Sequence, residues 1–268
     1  MITSADGTDV RVHDEGSGPV VVLLGPGLDD GTRDRKLAAL LARRFRVIRP
    51  HRRQYRTDLK ADLVNGSPCA VADEVEDVLA IVRSVGGGPV VLYGHSDGGV
   101  VALEALAASP SSFAGAVVFE PAAATDEPVG GEVLARAREA LAAGRPGRAM
   151  AIFFEGGVGL PAWQARAAGA AVALMPKYRG LVPGQLDSLE ALDRLGVRTD
   201  VYARIEVPTV LLGGDRSPAR LAAWVDAIAR VMPAAERIVL PGADHGADLK
   251  HPDVVARIVE DLADRVLG

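Results

Sequence analysis

The sequence predicts an α/β fold with a mostly parallel, doubly wound sheet, and three observations carry that prediction. Nearly continuous apolar runs of about five residues recur along the chain, as strands buried on both faces do. Longer amphipathic stretches separate them, and strand, helix, strand in repetition puts helices on both faces of a parallel sheet. With 268 residues, 49% hydrophobic and 24% charged, the chain can build one substantial core and lacks the composition of a disordered or fibrous segment.

In chain order, Val10-Arg-Val-His13 alternates apolar and polar residues, as an antiparallel edge strand would. The buried runs are 19–25, 45–49, 89–93, 114–119, 207–212 and 237–240, and helical stretches fall at 33–44, 70–86, 98–108, 218–232 and 250–267. Residues 121–203 break this alternation. They offer helical segments at 131–143, 145–154, 162–175 and 185–195, punctuated by Pro128, Gly130-Gly131, Gly156-Gly157 and Pro183-Gly184. An all-helical insert between two strands reads as a cap over the strands' C-terminal ends, where open α/β sheets bind ligands. The plainer alternative is that these helices only extend the core. The sequence holds no internal repeat and no low-complexity tract.

Composition excludes several function classes. Acidic residues outnumber basic ones 35 to 30, and a net charge of −5 gives no reason to expect a nucleic-acid partner. The one cysteine, Cys69, rules out an internal disulfide framework and a Cys-based zinc cluster, and suits a reducing compartment. The N-terminal stretch is polar, without a signal peptide's apolar region, and no apolar run approaches the roughly 20 residues of a membrane span. A cytoplasmic protein is expected. Arginine far outnumbers lysine and Ala and Gly abound, which reads as a GC-rich bacterial coding bias.

The strongest chemical signal is Tyr93-Gly94-His95-Ser96-Asp97-Gly98-Gly99. A buried strand runs into Gly94-x-Ser96-x-Gly98 and a helix follows at once. Such a turn holds the serine hydroxyl exposed, while the flanking glycines keep neighbouring backbone clear. Ser96 then sits at a helix N-terminus, which favours negative charge on a bound oxygen. The second signal is Pro241-Gly-Ala-Asp-His245-Gly246, where the loop after the last strand can bring a general base to the serine. Of the other histidines, His13 lies on the edge strand, His251 opens the last helix, His95 is held in the elbow and His51 lies in a charged stretch.

With the elbow and the terminal histidine, the chain resembles the α/β-hydrolase fold family over nearly its whole length. The loop Gly25-Pro-Gly-Leu-Asp29 matches that family's His-Gly oxyanion loop, and His51-Arg-Arg-Gln-Tyr-Arg-Thr-Asp58 matches its Asp-x-x-Gly-x-Gly-x-Ser stretch. The resemblance implies a core of residues 1–120 and 204–268, with residues 121–203 as a lid inserted after the family's sixth strand. It also implies Ser96 as nucleophile, His245 as base, and the backbone N–H groups of Asp97 and of Gly27 or Leu28 as the oxyanion hole, in the family's order of Ser, acid, His.

Two carboxylates compete for the acid. Asp215, in Leu212-Gly-Gly-Asp-Arg-Ser-Pro218, lies where the family usually keeps its acid, but the usual Gly-x-x-Asp spacing lands on Ser217. Glu120 closes the Val-Val-Phe run after the nucleophile helix, the strand end from which relatives such as the haloalkane dehalogenases take their acid. A carboxylate there is costly to bury without a partner. Asp244 adjoins His245, but adjacent loop side chains usually point apart, so it ranks last.

Two departures from the family pattern stand out. Gly25-Pro26 replaces the oxyanion loop's His-Gly, and proline offers no N–H. An arginine run, Arg43, Arg44, Arg46, Arg49, Arg52, Arg53 and Arg56, offers either bidentate recognition of an anionic substrate or a solvated face. The cap contributes Met150, Phe153, Phe154, Trp163, Met175 and Tyr178, in a chain only 4% aromatic, either to an apolar substrate pocket or to packing.

These readings converge on a serine hydrolase for an ester, thioester or lactone of a small, largely apolar molecule. No metal or organic cofactor, nucleic acid or membrane partner is implied. Epoxide hydrolases and haloalkane dehalogenases, which the chain also resembles, need Asp in place of Ser96. The alternatives are cyclisation or C–C bond chemistry in the same pocket, or a slow-turnover ligand-binding or signalling protein.

Overall fold

A computed structural model describes residues 1–60 and 69–268. Among the described residues, seven strands form one sheet: β1 (Val12–Gly16), β2 (Val20–Leu24), β3 (Arg46–Pro50), β4 (Val90–His95), β5 (Phe113–Phe119), β6 (Thr209–Gly214) and β7 (Ala235–Leu240). Their spatial order is β1-β3-β2-β4-β5-β6-β7, with β1 antiparallel to β3 and every other pair parallel. The chain winds outward in both directions from β2 and β4, so the loops leaving these two strands open on the crevice where the strand order reverses.

The helices are α1 (Arg35–Leu41), α2 (Thr57–Lys60), α3 (Val71–Ser84), α4 (Asp97–Ala108), α5 (Gly131–Ala142), α6 (Pro146–Phe153), α7 (Ala162–Leu174), α8 (Pro176–Leu195), α9 (Thr199–Tyr202), α10 (Ala219–Val231), α11 (Ala247–Lys250) and α12 (Pro252–Leu267). Strand residues alternate between two cores, as a pleated sheet requires. Val21, Leu23, Val91, Tyr93, Val117 and Phe119 pack with Leu37 and Leu41 of α1 and Val255 and Val259 of α12. Val22, Leu24, Leu92, Val118 and Leu211 pack with α3, α4, α10 and buried residues of the helical insertion, including Met150 and Leu186.

Three boundaries differ from the sequence reading. The edge strand starts at Val12 rather than Val10, and before it Thr3 and Asp9 form only a bridge around Gly7 (φ +86°). Because only one strand precedes β2, the helical insertion follows the fifth strand rather than a sixth. Pro183-Gly184 does not open α8: the helix begins at Pro176 and carries Pro183 inside it. Gly184 is needed there for close approach, since a Cβ on it would lie 2.5 Å from the Gln54 carbonyl oxygen.

Candidate active site

The site is built where β2, β4, β5 and β7 end. Ser96 follows β4 with φ 54° and ψ −119°, and α4 begins at the next residue. That backbone conformation costs an ordinary L-residue about 1–3 kcal/mol. It is held by bonds from Ser96 N–H to the Phe119 carbonyl (3.0 Å) and from Ala122 N–H to the Ser96 carbonyl (3.1 Å). The flanking glycines are sterically required: a Cβ on Gly98 would lie 2.4 Å from the carbonyl oxygens of Leu24 and Gly25, and one on Gly94 2.6 Å from that of Gly98. Among the described residues only Leu28, Ser96 and Glu120 take positive φ without being glycine. All three sit at this one site.

Glu120 is fully buried at the end of β5. Its Oε1 accepts the Gly214 N–H (2.8 Å), and its Oε2 lies 2.6 Å from His245 Nδ1. Burial alone would push its pKa up, but the bond to and charge of His245, with the Gly214 N–H, outweigh it and hold Glu120 below the usual glutamate value. Asp215 is not brought to His245. It stands in the turn just after β6, where its Oδ1 accepts the Gly242 N–H (2.7 Å) and ties two loops together. Asp244 turns away as well, to the Gly246 N–H and Lys250. Ser217, at the family's acid spacing, offers no carboxylate.

Ser96 and His245 line one cavity of about 390 Å³ with Pro26, Gly27, Leu28 and Asp97. Among the described residues, no protein acceptor takes the backbone N–H of Gly27, Leu28 or Asp97. The Gly25-Pro26 departure has a local cause, because a Cβ on Gly25 would fall 2.2 Å from Asp29 Oδ2. The Asp29 carboxylate holds the loop by accepting the N–H groups of Thr32 (3.1 Å) and Arg33 (2.9 Å). From the insertion come Phe153, Phe154, Val172, Met175 and Tyr178. Trp163 is not among them: it is 70% exposed on the outer side of α7, so its place in the pocket is corrected. Met150 is core.

The arginine run faces carboxylates of the protein itself. Arg52 is buried against Glu74 through two bonds (3.0 and 2.8 Å) and donates a third to the Gly25 carbonyl (3.1 Å), anchoring the loop beside Ser96. Arg44, Arg46, Arg49, Arg53 and Arg56 pair with Asp264, Asp14, Glu15, Asp77 and Asp58. None of the run lines the cavity.

Two polar clusters escape a reading of the sequence alone. Asp97 Oδ2 accepts from the Tyr55 hydroxyl (3.0 Å), Gln185 Nε2 (3.1 Å) and Ser188 Oγ (2.9 Å), tying the elbow to α8. Behind His245, the buried His95 stacks on Phe119 and places Nδ1 2.7 Å from Asp248 Oδ2, and its ring meets His245 edgewise at 4.5 Å. Arg33 bridges Asp248 (3.0 Å to Oδ1) and Asp34 (2.8 Å). Burial drives His95 down to about 4, which keeps it neutral, and drives Asp34 up to about 8, helped by the charge of Asp248. Burial also opposes ionisation of Asp248, but His95 and Arg33 prevail and hold it well below the carboxylate range. The one signal in the sequence was Asp248 standing three residues after His245. Among the described residues, no three His, Cys, Asp or Glu side chains group as a metal site.

This geometry has known relatives. A model of the alpha/beta hydrolase family matches residues 21–258. The chain belongs to that family. Over 60 residues this alpha/beta hydrolase is 40% identical to Lipase LipV of Mycobacterium tuberculosis, a match covering 22% of this chain and 23% of that protein. It resembles the crystal structure of an alpha/beta hydrolase from Sphaerobacter thermophilus with a TM-score of 0.77 and 29% identity, over 97% of this chain and 98% of that one. The enol-lactonase of Burkholderia xenovorans gives a TM-score of 0.76 at 20% identity, with 97% and 98% covered. At that identity the likeness is one of fold.

Proposed function

We propose that this alpha/beta hydrolase is a serine hydrolase that cleaves an ester, thioester or lactone of a small, largely apolar carbonyl compound. The observation that carries the reading is the 2.6 Å contact between His245 Nδ1 and the buried Glu120, in a site whose cavity joins His245 to the strained Ser96. With Nδ1–H donated to Glu120, the His245 ring keeps its Nε2 lone pair for the Ser96 proton. Ser96 Oγ attacks the carbonyl carbon, and the N–H groups of Asp97 and of Gly27 or Leu28 receive the oxyanion, each worth about 3–4 kcal/mol in comparable sites. The imidazolium returns the proton to the leaving atom. Water then hydrolyses the acyl-enzyme by the same path in reverse.

In this reading residues 121–203 are a cap that closes the apolar side of the cavity, with Phe153, Phe154, Met175 and Tyr178 against the substrate. The strand, elbow and helix need no help from a cofactor for this chemistry. The test is turnover of 4-nitrophenyl butanoate. Ser96→Ala is expected to lower it by about three orders of magnitude or more, and His245→Ala by a similar factor, the double variant being no worse because the groups act as a unit. Turnover that survives in Ser96→Ala would show the nucleophile to be another group.

A further inference from the structure

A second cleft, of about 820 Å³, meets the Ser96 cavity at His245 and Leu160, which line both. Neither Ser96 nor the loop of Pro26–Leu28 lines it. Where the first cavity is walled mainly by aromatic and aliphatic side chains, this one adds Arg216, Lys250, Asp244 and Gln164 to an apolar wall of Leu160, Pro161, Ala168 and Pro218. Lys250 is paired with Asp244, so those two charges offset each other. Arg216 is exposed, and among the described residues its guanidinium has no carboxylate partner, unlike the paired arginines of 44–56. Its backbone is nonetheless fixed. The Arg216 N–H donates to the Ala243 carbonyl (2.9 Å), the Asp215 N–H donates to Leu240 (3.2 Å), and Asp215 Oδ1 holds Gly242. Arg216 therefore stands on the same pair of loops that carries His245.

We infer that this cleft binds the leaving group of the substrate and that the leaving group carries a negative charge, a carboxylate or a phosphate. The inference rests on the serine-hydrolase reading. In acyl transfer the Ser96 Oγ–carbonyl carbon bond forms and the bond from that carbon to the leaving oxygen or sulfur breaks. The proton taken from Ser96 travels on His245 to the leaving atom; water later supplies hydroxyl to the acyl group and a proton back to Ser96. The acyl part must lie against Ser96 and the oxyanion donors, in the apolar cavity. The leaving atom must lie against the imidazolium, and the space beyond His245 that excludes Ser96 is the second cleft, where Arg216 is the charge left unpaired. The substrate is then an apolar acyl group joined to an anionic alcohol or thiol, rather than a lactone, whose leaving oxygen stays tethered to the acyl chain.

The experiment compares kcat/KM for three esters with one acyl group: phenyl butanoate, 4-(butanoyloxy)benzoate and 4-(butanoyloxy)phenyl phosphate. The reading is the ratio of each anionic ester to the neutral one, which cancels intrinsic reactivity when variants are compared. Arg216→Ala is expected to lower the ratio about threefold and Arg216→Glu about tenfold, as befits an exposed charge. Arg216→Lys keeps most of it, and added salt lowers it in the native protein. The same charge change at Arg230→Glu, an exposed position on α10 that lines neither cavity, leaves it within about twofold. A larger fall for the benzoate than for the phosphate identifies a carboxylate as the anion, and the converse a phosphate. A protein whose turnover depends on Ser96 but whose ratios do not move in Arg216→Glu overturns this inference alone. Turnover that persists in Ser96→Ala overturns the hydrolase reading, and this inference with it.

Discussion

At the scale of single residues, the choice between two carboxylates decides the chemistry. Glu120 and Asp215 stand at the ends of neighbouring strands, yet only Glu120 reaches His245, and Asp215 is spent on the Gly242 N–H. Glu120→Gln keeps shape, removes charge and allows the amide to hold the wrong imidazole tautomer. It is expected to lower kcat for 4-nitrophenyl butanoate about 10³- to 10⁴-fold, while Asp215→Asn changes it less than about tenfold. Near-background rates in Asp215→Asn with full rates in Glu120→Gln would reverse the assignment. The sequence made Glu120 a candidate through register, because the usual acid spacing fell on Ser217 and a buried strand closed on a carboxylate. It could not show Asp97 held by Tyr55, Gln185 and Ser188, whose partners lie 42 to 91 residues away and meet only when the elbow packs on α8. Trp163 illustrates the opposite error. Composition counts aromatics in a segment but does not say which face of a helix they take.

At the scale of elements, the strands were legible because buried parallel strands are apolar throughout. The turn at Ser96 was legible because glycine spacing, strand and helix agreed there. The extent of α8 was not, since Pro183-Gly184 reads as a break and is instead a crossing point over the Gln54–Tyr55 segment. The entry to α1 carries a consequence for pH. Burial, helped by the charge of Asp248, pushes the carboxyl of Asp34 up to about 8 in the folded protein, against 3.8 for an unburied aspartate. Between those values the folded state holds a proton that the unfolded chain releases, so the Asp34 contribution to stability is present below about pH 4 and is lost as pH rises to 8. An amide cannot ionise. The melting temperature of Asp34→Asn, measured relative to the native protein, should therefore rise steadily from pH 5 to pH 8 and level off above it. A difference that stays constant over that range would contradict the assignment.

At the scale of the whole molecule, the sheet reverses its strand order between β2 and β4, and both site loops, the one bearing Leu28 and the one bearing Ser96, leave from that reversal. β5 and β7 add Glu120 and His245 from one side, and the helical insertion adds the apolar wall. Among the described residues no helix is long and apolar enough to cross a membrane. The positive-φ geometry at Leu28, Ser96 and Glu120 is strain that the surrounding packing sustains at three strand-end loops at once, and strain concentrated in this way supports the proposal of a reacting centre there. The central claim is that Ser96, activated through His245, is the group that becomes covalently bound. Reaction with a fluorophosphonate followed by peptide mass mapping tests it most directly. The account predicts one equivalent of label on the peptide containing Ser96, fast in the native protein, far slower in Glu120→Gln and His245→Ala, and absent in Ser96→Ala. Label on another residue, or no label in a protein that turns over 4-nitrophenyl butanoate, would contradict it.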